Sequence, residues 1–368
     1  MGLEKKLNVL SLFDGMSGTQ MALKNLGIKV DKYYASEIDK YAIQITRKNF
    51  PDTIHLGDVK DIKGEDFIRD IDLVVAGSPC QGFSFAGKQL AFDDERSALF
   101  FEFIRILREV KPKYFLLENV RMKKEFQDVI SEQISSVYPE YTSGGLFSIE
   151  PILINSALVS AQNRQRLYWT NIPGIEQPED LGIVLRDVLE DNFVADRDKS
   201  YCIDANYYKG GNPKNYFEKS RRQLVFDKEF DKMTTKDGKS YALTATYQGA
   251  VAWNSIERKQ RTMIPTYDTP KQVGVAADLK GYDIIKRVYS ENGKSPTLTT
   301  MGGGHREPKV AVKEEELTWR KLTPLECERL QTFPDNYSEG VSNTQRYKML
   351  GNGFTVSVIE HILKNMEI

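Results

Sequence analysis

The sequence predicts an α/β protein in which a mostly parallel β-sheet with helices carries a second, smaller, irregular and β-containing domain. The first half alternates short β-branched and aromatic runs with helical patterns of about 10 to 15 residues, which is typical of βαβ units. After about residue 171 this alternation stops, and polar sequence rich in Tyr, Lys and Gly follows. The length of 368 residues fits one large domain and one smaller domain.

The predicted strands each end at a polar or glycine-containing position. They are residues 9–13, 33–36, 73–76 and 114–117. A glycine-containing turn follows the first strand and opens a helix, while the later strands end at Glu37, Gly77 and Glu118. Because ligands in open α/β sheets bind beyond the carboxyl ends of the strands, we expect these ends to meet at one site.

The second domain is predicted to be an insertion in the first. A linker-like stretch, PGIEQPED, precedes the change in composition, and helical periodicity returns after Trp319. We therefore expect residues 1–175 and 319–368 to form the first domain and residues 176–318 to form the second. Residues 355–364 are amphipathic enough to form a closing helix that packs on the first domain.

Composition excludes several classes of protein. Hydrophobic residues make up 40% and charged residues 28%, which is typical of globular proteins and not of disordered, collagen-like or coiled-coil chains. No apolar run approaches the roughly 20 residues of a membrane span, and the first residues lack the apolar region of a signal peptide, so we expect a cytoplasmic protein. The cysteines Cys80, Cys202 and Cys327 and the few histidines do not show metal-ligand spacing, so no metal is expected.

Charge is divided unevenly along the chain. The net charge is -1, yet residues 197–309 contain 21 Lys and Arg against 13 Asp and Glu. A basic middle region is what attraction to a polyanion requires, because phosphate neutralisation dominates affinity for nucleic acids. A basic surface without a partner remains the alternative.

The turn FDGMSG at residues 13–18 resembles a nucleotide-binding turn. Its glycines would let a nucleotide approach the backbone, and Glu37, about 20 residues further on, would accept hydrogen bonds from ribose hydroxyls. The spacing is Gly-x-x-Gly, so a tight turn without a ligand stays open. Asp58, at the end of a third strand, suits an adenine amino group or an exposed loop.

The segment GSPCQGFS at residues 77–84 places Cys80 on a loop after an apolar strand. A thiolate there could act as a nucleophile, whereas the alternative is a buried core thiol. Glu118, at the end of the fourth strand, could hold or deliver a proton, or it could cap the next helix. The spacing of Arg164 and Arg166 predicts that they share one face of a strand. Both could then point at one anion or base edge, and the alternative is that both lie in solvent.

Taken together and in order, these motifs resemble those of the cytosine-C5 DNA methyltransferases. The resemblance covers roughly the first 170 and last 50 residues. The matching segments are FDGMSG, SEID, GDV, GSPCQGFS, RSALFFE, LLENV, QNRQR, RKLTPLECERLQTFP and YKMLGNGFTV. The resemblance implies a Rossmann-like, S-adenosylmethionine-dependent domain, with residues 176–318 as the target-recognition domain that binds double-stranded DNA.

The resemblance also implies a role for each catalytic residue. Cys80 would attack C6 of a flipped-out cytosine, and Glu118 would hold N3 while C5 takes the methyl group. Arg164 would steady the flipped base, and Arg166 would support the same loop. No metal is implied. A monomer is expected, with a separately acting restriction endonuclease as a candidate partner in a bacterial or phage-infected cell.

The same resemblance assigns residues to the cofactor and to DNA. The implied cofactor-binding residues are Phe13, Gly15, Gly18, Glu37, Ile38, Asp58, Pro79, Leu99 and Asn352. Gln81 and Ser84 would contact DNA, and candidates for base readout are Arg221, Arg222, Lys259 and Arg306.

The sequence departs from the family pattern at a few positions, and other functions stay open. Ser17 replaces a glycine, Ala161 replaces a proline, and GNGF at residues 351–354 replaces a more common G-N-S/A-V. A tRNA cytosine-5 methyltransferase and a catalytically idle DNA-binding regulator are the alternatives. A nicotinamide dehydrogenase would require G-x-G-x-x-G after the first strand, which this chain lacks.

Overall fold

The computed structural model describes residues 6–67, 70–77, 95–141, 149–210, 216, 219, 221–227, 272–275, 287–290, 309–311 and 319–368. The chain divides into two compact units. Residues 1–227 with 319–368 form the first unit, and residues 228–318 form the second. Among the described residues, no helix is both long and apolar enough to cross a bilayer.

The first unit contains a seven-stranded sheet in the order β3-β2-β1-β4-β5-β7-β6. The strands are β1 (Leu7–Leu12), β2 (Val30–Ser36), β3 (Ile54–Gly57), β4 (Leu73–Gly77), β5 (Tyr114–Val120), β6 (Ile152–Asn155) and β7 (Gln165–Thr170). Strands β1 to β5 pair in parallel, and β7 runs antiparallel to β5 and β6. The predicted mostly parallel sheet is confirmed. The strand order reverses between β1 and β4, which is where ligands bind in such sheets.

Helices cover both faces of the sheet, so strand residues that point to opposite sides are both buried. The helices are α1 (Gly18–Asn25), α2 (Lys40–Asn49), α3 (Glu95–Val110), α4 (Lys124–Val137), α5 (Pro324–Leu330), α6 (Asn343–Asn352) and α7 (Val356–Leu363). Val9 and Val75 belong to the core that includes residues of α1 and α7, whereas Leu10 and Val74 belong to the core with residues of α3 and α4. Burial on both faces explains the continuous apolar runs in the sequence.

The predicted elements are present with small shifts at their ends. The first strand ends at Leu12, one residue before the predicted end, because Phe13 has a φ of 56° and already belongs to the turn. The predicted closing helix is α7, whose N-cap residue is Thr355. Arg164 lies just before β7 rather than on a strand with Arg166, so the predicted shared strand face is corrected.

The compact second unit begins at residue 228, so residues 176–227 of the predicted target-recognition domain belong to the first compact unit. The division of the chain into functional domains stays a prediction. Strand β8 (Leu224–Phe226) pairs antiparallel with β12 (Trp319–Lys321), so both belong to the first unit. Ile203 and Tyr207 join the core that α7 covers, which ties residues 176–227 to the sheet. In the second unit, β9 (Gln272–Val275), β10 (Arg287–Ser290) and β11 (Lys309–Ala311) form a three-stranded sheet. Which residues recognise DNA stays a prediction.

Candidate active site

A cavity of about 550 Å³ lies at the carboxyl ends of the parallel strands, a volume typical of small-molecule sites. Most residues implied by the resemblance line it, although they are scattered along the sequence. They are Phe13, Gly15, Gly18, Glu37, Ile38, Asp58, Leu99, Glu118, Arg164, Arg166 and Asn352. The expected convergence of strand ends on one site is therefore observed for these residues.

The turn after β1 depends on backbone conformations that only a few residue types adopt easily. Gly15 and Ser17 both have a φ of 59°, in the left-handed region. Ser17, which replaces the glycine of the family pattern, donates a hydrogen bond to Asp14 in this conformation. A Cβ on Gly18 would lie 3.4 Å from the Phe333 ring, so this glycine lets the helix start pack against aromatic side chains.

Glu37 links the end of β2 to this turn. One carboxylate oxygen accepts a hydrogen bond from the backbone N–H of Gly15 at 2.8 Å, and the other accepts from those of Ile38 and Asp39 at 2.8 Å. A carboxylate oxygen has more than one acceptor site, so Glu37 can still accept hydrogen bonds from a ligand in the cavity. Ile38 beside it is 74% exposed, which is unusual for a large apolar side chain and suits a flat apolar ligand.

Asp58 and Asn352 also line the cavity, and they belong to other parts of the fold. Asp58 follows β3, and its carboxylate accepts a hydrogen bond from the backbone N–H of Lys60 at 3.0 Å. Asn352 is the last residue of α6 and is exposed. Leu99 projects from α3 and is half-buried, so it adds apolar surface to the cavity.

Asp14 is a cavity residue that the sequence analysis missed. It is 5% exposed, and its carboxylate accepts hydrogen bonds from Ser17 and, at 2.7 Å, from the Tyr33 hydroxyl. Burial raises the pKa of Asp14 to about 6, even though these hydrogen bonds favour the charged form. The sequence did contain a signal for Asp14, which is an acidic residue directly after the predicted first strand. The interpretation of the turn gave a role to its glycines but not to this acid.

Glu118 and Arg166 form an ion pair at another part of the cavity wall. The Nε of Arg166 lies 2.9 Å from a carboxylate oxygen of Glu118, and both side chains are largely buried. Glu118 is on β5 directly beside Gly77 at the end of β4. The structure therefore places Arg166, not Arg164, against the carboxylate, because their neighbouring strands β5 and β7 pair in antiparallel register.

Arg164 lies in the protein interior, bonded to backbone carbonyls. Only 2% of it is exposed, and its guanidinium donates hydrogen bonds to the carbonyl oxygens of Ile203, Gly351 and Gly353. Burial, and next the charge of Arg166, lower the pKa of the Arg164 guanidinium. This side chain was expected to lie beside Arg166 in a shared anion or base site, and its observed partners are instead these three main-chain oxygens and the Cys202 sulfur at 3.5 Å.

Of the remaining predicted site residues, only Arg221 and Arg222 lie in the part of the chain that the structure describes. Arg221 is exposed and pairs with Asp204 at 3.1 Å, and Arg222 donates a hydrogen bond to the Gly210 carbonyl at 2.8 Å. Residues outside the described part of the chain are Pro79, Cys80, Gln81, Ser84, Lys259 and Arg306.

The departure at GNGF has a structural consequence. A Cβ on Gly77 would lie 2.9 Å from the ring of Phe354, and one on Gly18 would lie 3.5 Å from it. Phe354 therefore packs over the ends of two sequence-distant elements and is 8% exposed. The absence of a side chain at Gly77 leaves the space that the large Phe354 ring occupies.

Similar proteins were found at the level of family, sequence and structure. A model of the C-5 cytosine-specific DNA methylases matches residues 7–367. The chain is 31% identical to the orphan methyltransferase M.SPBetaI of Bacillus phage SPbeta, over 98% of this chain and 97% of that protein. It is 29% identical to the type II methyltransferase M.HhaI of Haemophilus parahaemolyticus, over 98% and 94%.

Solved structures show the same fold at lower sequence identity. A Spodoptera frugiperda DNMT2 mutant has a TM-score of 0.58 at 20% identity and covers 98% of this chain and 99% of that chain. A putative DNA modification methyltransferase from a prophage of E. coli has a TM-score of 0.53 at 22% identity, with 98% of each chain covered. The family match extends over nearly the whole sequence and includes every strand and helix that lines the cavity. This chain is a member of the C-5 cytosine-specific DNA methylase family.

Proposed function

We propose that this protein methylates C5 of a cytosine within a specific sequence of duplex DNA, through a transient covalent bond between Cys80 and C6 of the base. The observation that carries the proposal is a single cavity that contains both a nucleotide-type pocket and the ion pair of Glu118 and Arg166. A methyl donor and a target base bound at these two places would be neighbours.

S-adenosylmethionine is the proposed cofactor, and when bound it supplies an electrophilic methyl group. The cavity volume of about 550 Å³ suits a ligand of that size. Exposed Ile38 would pack on adenine, Glu37 would accept hydrogen bonds from the ribose hydroxyls, and Asp58 would accept one from the adenine amino group. The other proposed cofactor-binding residues are Phe13, Gly15, Gly18, Pro79, Leu99 and Asn352.

Glu118 and Arg166 are proposed to hold the target cytosine. Glu118 would give a proton to ring nitrogen N3, which draws electron density from C6 and prepares that atom for attack. Arg166, at 2.9 Å from Glu118, would orient the carboxyl group and offer further donors to the base. We therefore assign the predicted contact with the flipped base to Arg166 instead of Arg164.

Cys80 is proposed as the nucleophile. Its thiolate would add to C6, and the electron pair displaced to C5 would take the methyl group. A base would then remove the proton from C5, the bond between sulfur and C6 would break, and the thiolate would leave. The support for this role is that β4 ends at Gly77, beside Glu118, three positions before Cys80 in the sequence.

Duplex DNA is the proposed substrate, with the cytosine rotated out of the helix. Such rotation costs a few kcal/mol of stacking and pairing. Phosphate contacts from the basic middle region, which contains 21 Lys and Arg against 13 Asp and Glu in residues 197–309, would offset that cost. Gln81 and Ser84 remain proposed DNA contacts.

Transfer of labelled methyl from S-adenosylmethionine to unmethylated genomic DNA and, separately, to total tRNA tests the proposal. We expect label in DNA with the wild type and none with Cys80→Ala, while that variant still binds DNA. Glu118→Gln should lower kcat by roughly a hundredfold or more, the usual contribution of a general acid, with a much smaller effect on cofactor affinity. Cys327→Ala, which removes a buried thiol of α5, is the matched control and should stay active.

The other outcomes contradict specific parts of the proposal. Undiminished transfer by Cys80→Ala would exclude the covalent mechanism. An effect of Glu118→Gln confined to cofactor affinity would assign Glu118 to the cofactor. Label in tRNA alone would move the protein to the RNA-methylating alternative, and no label with either substrate would favour the idle DNA-binding regulator.

A further inference from the structure

The side chain of Arg164 caps the C-terminal end of α6. Its Nη1 donates a hydrogen bond to the carbonyl oxygen of Gly351 at 3.2 Å, and its Nη2 donates to that of Gly353 at 2.9 Å. These two residues flank Asn352, the last residue of the helix and part of the cavity wall. Arg164 therefore holds the backbone on both sides of Asn352.

The end of a helix needs such partners. The last four carbonyl groups of an α-helix have no donor within the helix, and a cation there interacts favourably with the helix dipole. Gln331 supplies a second donor, because its Nε2 contacts the carbonyl oxygens of Leu350 at 2.6 Å and Gly353 at 3.3 Å. Two buried side chains thus fix the last turn of α6.

A second segment holds the same turn from another side. A Cβ on Gly351 would lie 2.3 Å from the carbonyl carbon of Asp204, so the backbone at residues 204–205 packs directly on this glycine. Arg164 also donates to the Ile203 carbonyl at 3.1 Å, and the Ile203 N–H donates to Gln162 at 3.0 Å. Arg164 therefore ties residues 203–205 to the end of α6.

We propose that Arg164 is a positioning residue for cofactor binding, which fixes Asn352 at the edge of the cavity and does not touch the target base. The inference rests on the proposed function, because it takes Asn352 as a cofactor-binding residue. Its guanidinium is directed at three main-chain oxygens and is 2% exposed, whereas Arg166 carries the contact with Glu118. The two arginines of one short motif thus have separate tasks.

Binding of S-adenosylhomocysteine to the full-length protein without DNA, measured by calorimetry, tests the proposal. Arg164→Lys keeps the charge but cannot donate to the flanking carbonyls in a fixed fork. We expect its Kd for S-adenosylhomocysteine to rise roughly tenfold, the equivalent of one lost hydrogen bond to a charged group. Arg329→Lys is the matched control, because Arg329 also donates to a main-chain carbonyl, that of Val188 at 3.1 Å, but does not line the cavity. Its Kd should stay within about twofold of the wild type.

A double-mutant cycle separates positioning from a general loss of structure. If Arg164 acts through Asn352, Arg164→Lys should raise the Kd little further in a protein that already carries Asn352→Ala. Should Arg164→Lys not fold, Gln331→Met removes donors from the carbonyls of Leu350 and Gly353 in the same turn, and the same cycle with Asn352→Ala applies. Thermal unfolding of each variant establishes that it is folded.

Two results would overturn the inference. One is a Kd of Arg164→Lys within about twofold of the wild type, and the other is additive effects of Arg164→Lys and Asn352→Ala. Absence of S-adenosylhomocysteine binding by the wild type would instead contradict the proposed function, so the two failures are distinguishable.

Discussion

At the scale of single residues, the site depends on polar side chains whose hydrogen-bond partners are main-chain groups. Glu37 accepts hydrogen bonds from three main-chain N–H groups, and Arg164 donates to three main-chain carbonyls. Buried polar groups are costly unless they are bonded in this way. The same requirement makes Asp14 informative, since it is buried beside two hydroxyl groups and still has a raised pKa.

Asp14 predicts a pH dependence of stability. Its folded-state pKa of about 6 lies above the ordinary value of 3.8, so the folded protein binds this proton more tightly than the unfolded chain does. The contribution of Asp14 to the free energy of unfolding is therefore fully present below pH 3.8 and falls as the pH rises towards about 6. Asp14→Asn, which has no proton to lose, should not show this fall.

Chemical denaturation of the wild type and Asp14→Asn between pH 4 and 7 measures the effect. As the pH rises across this range, the free energy of unfolding of the wild type should fall relative to that of the variant by up to about 3 kcal/mol. This value corresponds to a shift of roughly two pKa units. Parallel stability curves for the two proteins would contradict the burial argument.

At the scale of secondary-structure elements, close backbone approaches place α6 at the cavity. Gly351 in the last turn of this helix leaves no space for a side chain, because a Cβ would lie 2.3 Å from the backbone at Asp204. Main-chain atoms on either side of such a contact cannot move independently. The end of α6 and the segment at residues 203–205 therefore pack tightly together and should move as one.

Gly351→Ala should consequently lower the free energy of unfolding by about 1 to 3 kcal/mol, the range for inserting atoms into a packed site. It should also weaken cofactor binding, because the strain is released by displacement of Asn352. Gly18→Ala is the matched control for stability, since its nearest contact would be an ordinary 3.4 Å to a side chain. Equal destabilisation of the two variants in thermal unfolding would show that the contact at Asp204 is not special.

At the scale of the whole molecule, the chain leaves and re-enters the first compact unit at two neighbouring strands. Phe226 of β8 lies opposite Trp319 of β12 in an antiparallel pair, so the two crossings into residues 228–318 are adjacent in the first unit. A short turn could connect these positions, as it does in a β-hairpin. The first unit also contains all the described residues that line the cavity.

Replacement of residues 228–318 by a short Gly- and Ser-containing turn should therefore leave a folded protein that binds S-adenosylhomocysteine with a Kd within about threefold of the wild type. Its affinity for duplex DNA should fall by at least about a hundredfold at low salt, because most of the basic middle region is removed. Calorimetry and DNA retardation on the purified variant measure the two affinities. Retained DNA affinity would place the DNA-binding surface in the first unit.

Local sequence determined much of this protein. Apolar runs followed by polar residues predicted the parallel strands and the groups at their ends, including Glu37, Asp58 and Glu118, which the structure brings to one cavity. This worked because strand periodicity and turn chemistry depend on neighbouring residues, and because parallel strands present their carboxyl ends at the same edge. The ordered motifs were also sufficient to predict the family.

Only the tertiary structure decided the partners of individual side chains. Spacing suggested that Arg164 and Arg166 share one target, yet Arg166 pairs with Glu118 while Arg164 reaches Gly351, 187 positions away. The start of the second unit at residue 228, and the burial of Asp14 beside Tyr33, were equally absent from local patterns. The reason is physical: side-chain direction, burial and contact between distant segments are set by long-range packing, which sequence spacing does not encode.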